Sequence, residues 1–176
     1  MQTIAKGRLV TARHTLVDSP VGILTVAAHG PAVAGIYFER HRHPPRPESL
    51  GVPVPAAEDD VLNEAARQLA EYFEGSRTSF DLPLAPTGPK FHTRVWDRLR
   101  RIGYGDRTTY GTIAAEFGDP KLARAVGTAV GRNPISIVVP CHRVVGSSGR
   151  LTGFAGGLDR KAWLLRHEGI GDAALF

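Results

Sequence analysis

The sequence predicts an α+β protein built from a β-rich N-terminal half and a mostly helical C-terminal half. Three observations support this: short β-rich runs broken by turns near the start, helical periodicity in the second half, and a change of charge between them. Residues 1–89 carry 8 Lys and Arg against 10 Asp and Glu, a net charge of −2, whereas residues 90–176 carry 14 against 7, a net charge of +7. A boundary near residue 88 is therefore expected, giving domains 1–88 and 89–176.

Composition excludes several classes of protein. With 176 residues and a hydrophobic fraction of 42%, the chain can bury a real core. A single cysteine excludes an internal disulfide and a cysteine-based zinc site, and it favours a reducing, cytoplasmic setting. No apolar run approaches the roughly 20 residues of a membrane span, so no membrane association is expected. Neither a metal nor a cofactor is indicated.

The N-terminal half begins with strands. Residues 8–39 predict a hairpin or small meander, with turns at "DSPVG" and "HGP". Residues 40–55 are rich in Pro, His and Arg and predict an irregular connector, in which His41 and His43 are more typical of a mobile basic loop than of a metal site. The next segment predicts a helix from Asp59 to Gly75. Its expected inner face is Leu62, Ala65, Ala66, Leu69 and Phe73.

The C-terminal half is predicted to be mainly helices. "KFHTRVWDRLRRI" has helical spacing, "TTYGTIAAEFG" predicts a short helix with a threonine cap, and "DPKLARAVGTAVGRN" predicts one with Asp119 as its N-cap and Pro120 at its first position. The apolar run "ISIVV" is expected to be a strand, followed by the loop "GSSGRLTGFAGG". A last amphipathic helix, "LDRKAWLLRHEG", should end at Gly169.

Two of these helices have the spacing of a helix-turn-helix motif, with Gly118 in the turn and the small Ala114 at the crossing. The second helix is expected to face inward through Leu122, Ala125, Val126 and Ala129. Its outward face is cationic with one hydroxyl, which suits phosphates and bases, and consists of Lys121, Arg124, Thr128 and Arg132. Small residues such as Ala125 and Gly127 would allow close approach to a nucleic acid. An ordinary solvated surface helix remains the alternative.

The only cysteine lies in "PCHRV", where Pro140 ends the apolar run. The adjacent His142 and Arg143 are expected to lower the thiol pKa and favour a nucleophilic Cys141. Asn133 could brace the preceding turn, and Glu168 could orient a histidine, giving a Cys–His–Glu relay. A structural or redox-sensing cysteine beside a DNA-binding module, or a cysteine hydrolase, would also fit these residues.

The stretch "RAVGTAVGRNPISIVVPCHRVVGSSGRLTGFAGG", with "LLRHEG" after it, resembles the O6-alkylguanine-DNA alkyltransferases, also called methylated-DNA–protein-cysteine methyltransferases. The resemblance covers roughly residues 88–170, and its joint pattern is highly specific. It implies a small ribonuclease-H-like α/β domain at the N-terminus and a C-terminal domain with a winged-helix-like helix-turn-helix. The implied activity is direct-reversal DNA repair, in which a methyl or alkyl group moves irreversibly from O6-alkylguanine to a cysteine.

The resemblance also implies a role for each matching residue of the site. Cys141 would be the alkyl acceptor, His142 would take the thiol proton through a water, and Glu168 would hold His142. Asn133 would brace the turn, and Tyr110 would donate a proton or hydrogen bond to the leaving guanine.

Further roles concern the DNA. Arg124 would fill the space of an extruded nucleotide while the helix lies in the minor groove. The loop Gly153–Gly157 would wall the base pocket, with Phe154 against the ring, and Cys141 and Val144 would offer backbone carbonyls to the guanine amino group. The expected partner is double-stranded DNA with alkylated bases, including, less well, O4-methylthymine. The protein is expected to be monomeric in solution, with cooperative assembly on DNA left open.

This chain departs from the family at two places. Some relatives bind zinc in the N-terminal domain through cysteine and histidine, which a chain with one cysteine cannot do in that form. Phe154 and Ala155 stand where relatives often have tyrosine and serine, so two hydroxyls are lost from the pocket wall. The handling of bulky adducts is expected to differ accordingly.

Overall fold

The N-terminal half forms a mixed sheet, described with the rest of residues 11–171 in a computed structural model. Strands β1 (Ala12–Val17), β2 (Leu24–His29) and β3 (Ala32–Phe38) make the predicted antiparallel meander. Residues 8–10 of that prediction lie outside the described residues. A short strand β4 (Val52–Pro53) pairs parallel with β1, giving the order β3-β2-β1-β4.

The segment predicted to be an irregular connector is partly regular, and this expectation was wrong. It contains a helical turn, α1 (Pro47–Leu50), and then β4. Pro47 occupies the first helical turn, where a missing N–H costs nothing, and the outer edge of β1 supplies the hydrogen bonds that β4 needs. The composition of residues 40–55 does not show that β1 is available as a partner. The strand β4 is therefore determined only by its tertiary pairing with β1.

Helix α2 (Asp60–Glu74) lies against the sheet and has the predicted caps. The Asp59 carboxylate accepts hydrogen bonds from the N–H groups of Val61 and Leu62, and Gly75 closes the helix at φ 83°. The buried face is turned slightly from the predicted one, because Gln68 and Tyr72 are buried whereas Ala66 and Phe73 are only partly so. The buried Tyr72 places a phenol from the N-terminal half deep in the molecule.

The C-terminal half contains the predicted helices. They are α3 (Lys90–Leu99), α4 (Tyr110–Glu116), α5 (Ala123–Gly131) and α6 (Leu158–His167), with a single 3-10 turn at Pro120–Leu122 before α5. Thr109 caps α4 and Asp119 caps the 3-10 turn through their side chains, as expected. Two short strands, β5 (Thr108–Thr109) and β6 (Val144–Val145), pair parallel beside these helices. The α+β class is confirmed.

The run "ISIVV" is not a strand, which corrects the prediction. Ile135 makes one bridge to Ile36 of β3, and the chain then turns, with Ile137 at φ 72°. Ile135, Ile137 and Val139 are all buried. A short apolar run that is buried on every side has the same sequence pattern in a strand as in a turn, so the pattern could not distinguish the two. A 3-10 helix, Cys141–Arg143, follows this turn.

The two halves share one hydrophobic core, which runs from Leu24 on the sheet to Leu164 on α6. The outer edge of β3 hydrogen-bonds to the C-terminal half: Ile36 N donates to Pro134 O at 2.9 Å, and Ser136 N donates to Ile36 O at 3.2 Å. The turn before Cys141 is thus attached to the sheet. Among the described residues, no helix is long and apolar enough to cross a bilayer.

Candidate active site

The turn before Cys141 is held by the side chain of Asn133. Its Oδ1 accepts from Ile135 N at 3.0 Å, and its Nδ2 donates to Val139 O at 2.8 Å. Asn133 is buried, so both ends of its amide are satisfied inside the protein rather than by water. The predicted bracing contact is therefore present in the structure, and it fixes where Cys141 begins its 3-10 turn.

His142 and Glu168, predicted to meet, are in contact. His142 Nε2 and Glu168 Oε1 are 2.8 Å apart, and both side chains are fully buried. An ionised carboxylate accepts hydrogen bonds only, so Nε2 carries the proton and Nδ1 has the free lone pair. Nδ1 is buried and has no hydrogen-bond partner among the described residues. Nδ1 is therefore the atom of His142 that can act as a base.

Glu168 receives more donors than the sequence indicated. Arg143 binds it with two nitrogens, Nε to Oε2 at 2.8 Å and Nη2 to Oε1 at 2.9 Å. Tyr72 donates its hydroxyl to Oε1 at 2.8 Å, and Gly105 N donates to Oε2 at 3.3 Å. Although burial by itself would raise the pKa of Glu168, the hydrogen bonds from His142 and Arg143 hold that pKa well below its ordinary range. Glu168 is ionised at neutral pH.

The protonation of the other groups follows from burial. Desolvation lowers the pKa of His142, against the opposing pull of Glu168, so the imidazole is neutral and available as a base. Burial raises the pKa of Cys141, although the Asn133 amide and the Lys161 ammonium work in the opposite direction. The expectation of a lowered thiol pKa was wrong, because Arg143 is directed at Glu168 and desolvation dominates. Cys141 therefore rests as a thiol, and a base would be needed to form its thiolate.

Lys161 is a buried cation that the sequence reasoning missed. Its Nζ donates to the carbonyls of Val144 at 2.6 Å and Thr152 at 2.8 Å, and more weakly to Gly153 at 3.4 Å. Burial lowers its pKa to about 8, while the nearby Cys141 opposes that shift. Lys161 thus ties β6 to the glycine-rich loop, and its positive charge lies near enough to Cys141 to act against the rise in the thiol pKa. The Val144 carbonyl, predicted to face guanine, already has this one donor.

A cavity of about 650 Å³ opens beside this site, between α5 and the glycine-rich loop. Its size is typical of a small-molecule pocket. From α5 and its end it is lined by Ala123, Arg124, Gly127, Thr128, Gly131 and Arg132. From the loop and α4 it is lined by Thr152, Gly153, Phe154, Ala155 and Tyr110. Cys141, 3% exposed, is covered rather than part of this lining.

Tyr110 stands in the cavity wall as a hydrogen-bond donor. Its hydroxyl donates to Thr152 O at 3.2 Å and accepts from Thr152 Oγ1 at 3.3 Å. Burial raises the pKa of Tyr110, with a further contribution from Cys141, so the phenol keeps its proton at neutral pH. Its ring faces Gly127, where an added Cβ would lie 3.7 Å from the ring.

The connector contributes two cavity residues that were not anticipated, Arg42 and His43. Arg42 N donates to Ala155 O at 2.8 Å, which attaches the connector to the pocket loop. His41 is buried and stacked on Phe38, with its Nδ1 accepting from Phe38 N at 3.3 Å. That side chain is part of the core, contrary to the mobile loop expected. Within residues 11–171 no group of three His, Cys, Asp or Glu is arranged to hold a metal.

The cationic face of α5 is directed to solvent as predicted. Lys121 in the 3-10 turn before the helix, Arg124 and Thr128 on α5, and Arg132 directly after it are all exposed. Ala125 is exposed too, so its assignment to the inner face was wrong; the buried residues of α5 are Val126, Ala129 and Val130, and Leu122 before the helix is half-buried. Trp96 Nε1 donates to Ala129 O at 2.8 Å and holds this helix against α3.

Several residues were missed because their role depends on distant partners. Tyr72 and Glu168 are 96 positions apart, and no local pattern joins them. Arg143 was predicted to act on the thiol, whereas in the structure it binds Glu168. Its position directly after His142 was the local feature that could have indicated this role. Lys161 follows Arg160 on an amphipathic helix, where a lysine ordinarily faces water.

The fold and the site together define a class: a protein with a helix-turn-helix motif and a buried cysteine that is followed directly by a buried histidine–glutamate pair. Residues 12–86 match the family described as "6-O-methylguanine DNA methyltransferase, ribonuclease-like domain". Residues 90–170 match "6-O-methylguanine DNA methyltransferase, DNA binding domain". The chain belongs to the 6-O-methylguanine DNA methyltransferase family.

Relatives agree over nearly the full length. The chain is 43% identical over 157 residues to a methylated-DNA–protein-cysteine methyltransferase of Methanosarcina acetivorans, covering 89% of this chain and 97% of that protein. Identity is 45% over 152 residues to the protein of the same name from Mycolicibacterium paratuberculosis, covering 86% and 89%. The structure resembles Mycobacterium tuberculosis OGT in complex with DNA, with a TM-score of 0.81, 40% identity, and coverage of 93% and 94%.

Proposed function

We propose that this protein repairs alkylated DNA by moving a methyl group from O6-methylguanine in duplex DNA to the Sγ atom of Cys141. The observation that carries the proposal is the buried relay next to that thiol, in which Glu168 orients His142 and leaves Nδ1 as the free base. The cationic helix α5 forms one wall of a cavity that Tyr110 and the glycine-rich loop also line. Family membership supports the same chemistry.

The chemical step is a displacement at carbon. The Cys141 thiol loses its proton through a water to His142 Nδ1, and Sγ attacks the methyl carbon as the bond between carbon and O6 breaks. The Lys161 ammonium stabilises the thiolate as it forms. Tyr110 is protonated at neutral pH, so it can pass its hydroxyl proton to the departing guanine, which then leaves neutral, and the proton taken up by His142 returns to the Tyr110 oxygen through water. The thioether has no ready leaving group, so each chain reacts once.

The duplex must release the damaged nucleotide, because O6 is inaccessible inside the stack. Arg124 is exposed on α5 and lines the cavity, so we assign it to the gap left by the extruded nucleotide. Ala125 and Gly127 are small enough for α5 to enter a narrow minor groove, where readout of sequence is weak. Lys121, Thr128 and Arg132 are then placed to contact the phosphates and sugars.

The flipped base would occupy the cavity. Phe154 packs on Phe38 of β3, with ring centroids 5.5 Å apart, so this wall is attached to the sheet. Gly156 is required beside it, because an added Cβ would lie 2.5 Å from the Phe38 ring. Gly153 and Ala155 complete the wall without hydroxyl groups, and the carbonyls of Cys141 and Val144 would accept from the guanine amino group.

Further aspects follow from the same reading. O4-methylthymine is a secondary substrate, and the protein acts as a monomer in the cytoplasm, where its one thiol stays reduced. We place the domain boundary near residue 88, between the two segments that match the family.

The activity can be tested by stoichiometry. With duplex DNA carrying an isotopically labelled methyl on O6 of guanine, we expect transfer to level off at one methyl per chain, on the peptide that contains Cys141. Mass spectrometry after digestion measures both the amount and the position. Continued release of product beyond one equivalent would indicate a hydrolase, and label at another residue would contradict the assignment of Cys141.

Replacing Arg124 by alanine should separate base extrusion from chemistry. Repair of duplex DNA should fall by about 10²-fold, since a few kcal/mol of unstacking is no longer offset. Reaction with free O6-benzylguanine should change less than about threefold, because that substrate needs no extrusion. Single-turnover rates on both substrates measure the difference.

Lys121→Ala is the matched control for this prediction. It removes an exposed cation from the same face at a position outside the cavity lining, and its effect on the duplex should be modest and salt-dependent. An equal loss on both substrates in Arg124→Ala would contradict the proposed role of Arg124.

A further inference from the structure

Tyr72 brings the N-terminal half into the relay. It lies on α2, is completely buried, and donates its hydroxyl to Glu168 Oε1 at 2.8 Å. The same oxygen is 2.8 Å from His142 Nε2 and 2.9 Å from Arg143 Nη2. Oε1 therefore has three partners, and one of them comes from outside the C-terminal half.

The phenol is held rigidly in this position. Its ring lies in an aromatic cage, with centroid distances of 5.1 Å to His167, 5.3 Å to Phe73, 5.5 Å to Phe80 and 6.1 Å to Tyr104. His167 Nε2 also lies 2.7 Å from the backbone oxygen of Tyr72. The ring is completely buried among these side chains, and its hydroxyl is directed at Glu168.

We propose that Tyr72 is a positioning residue for alkyl transfer, which acts by holding Glu168 Oε1 toward His142 and withdrawing part of its negative charge. This inference rests on the proposed function and assigns to the N-terminal domain a direct part in the chemistry. A phenol that donates to a carboxylate stabilises its charge and weakens its pull on the imidazolium. The hydroxyl thereby keeps His142 a weaker base that is neutral under working conditions.

The charged and titratable groups around the relay come from several elements. Those that face His142 or Glu168 are Cys141, Arg143, Lys161, Tyr72 and Tyr104. Arg143 and Lys161 disfavour a charged His142, whereas Glu168 favours it. Loss of the Tyr72 hydroxyl leaves Arg143 and Lys161 in place. It strengthens only the attraction between the Glu168 carboxylate and a charged His142. The pKa of His142 must then rise, and its neutral form must appear at higher pH.

The test is Tyr72→Phe, which keeps the ring in its cage and removes only the hydroxyl. The rate of Cys141 alkylation by free O6-benzylguanine is measured from pH 5 to 9 in the full-length protein. We expect the acidic limb of the profile to move to higher pH by about 0.5 to 1 unit. Titration of the His142 ring by NMR should show the same displacement, and it needs no alkyl substrate.

The control is Tyr104→Phe, whose hydroxyl donates to His167 O at 3.1 Å and not to Glu168. This variant should keep the wild-type midpoint. If Tyr72→Phe lowers thermal stability but leaves the His142 titration unchanged, Tyr72 is only a packing residue and the proposal is overturned. If O6-benzylguanine does not react with the wild type, the proposed function fails, while the NMR titration still decides the role of Tyr72.

Discussion

Cys141→Ser is expected to abolish methyl transfer while leaving duplex binding nearly intact. A serine hydroxyl is a far weaker acid than a thiol, and a neutral His142 cannot generate the oxyanion at pH 7. Transfer should fall by at least about 10³-fold. Burial of Cys141 means that the added hydroxyl costs stability of about 1 kcal/mol, too little to unfold the chain. Labelled-methyl transfer and a DNA mobility assay measure the two effects.

The matched control is wild-type protein already alkylated by O6-benzylguanine, which should accept no methyl and keep its fold. Residual stoichiometric transfer in Cys141→Ser would place the acceptor elsewhere. Loss of duplex binding together with transfer would indicate that Cys141 serves the architecture of the DNA-binding surface rather than the chemistry.

Glu168→Gln is expected to be the most destabilising single change in the site. The glutamine has the same shape but no charge, so Arg143 is left buried with no counter-ion. Removing one partner of a buried ion pair costs about 3–5 kcal/mol. The amide can also donate to His142 Nε2, which would put the proton on Nδ1 and remove the base, slowing transfer by about 10²-fold or more. Urea unfolding at pH 7 and single-turnover rates measure both consequences.

The difference in unfolding free energy between the wild type and Glu168→Gln should change with pH in a definite direction. The pKa of Glu168 is depressed in the folded protein, so its stabilisation is complete above the ordinary value of 4.5 and is lost as the pH falls toward the folded pKa. The wild type and Glu168→Gln should therefore converge in acid. Glu116→Gln is the control, since the exposed pair of Glu116 with Arg98 contributes under about 1 kcal/mol. A comparable loss in both variants would contradict the buried network.

Local signals predicted most of the helical part of the fold. Asp59, Thr109 and Asp119 cap helices or turns through their side chains, and Gly75 and Gly118 take the positive φ expected where helices end. These features depend on neighbours within four positions, so the sequence displays them directly. The turn of Ile135–Val139 was missed for the opposite reason, because its shape depends on Ile36 and on the Asn133 amide.

The site was predicted in part. The sequence identified four residues of the site, Cys141, His142, Asn133 and Glu168. The contact of Asn133 with its turn and the contact of His142 with Glu168 are both present in the structure. The sign of the Cys141 pKa shift was wrong, because a sequence shows nearby charges but not the desolvation that outweighs them.

The sequence by itself determined the α+β class, the caps and ends of the helices, the cationic face around Arg124 and the residues of the cysteine motif. All of these depend on residue type and short spacing. Only the tertiary structure decided that Tyr72 and Arg143 converge on Glu168, that Lys161 is buried beside the thiol, and that Cys141 rests protonated. Such properties arise from contacts between distant residues and from the removal of water around them, and neither is encoded by any local pattern.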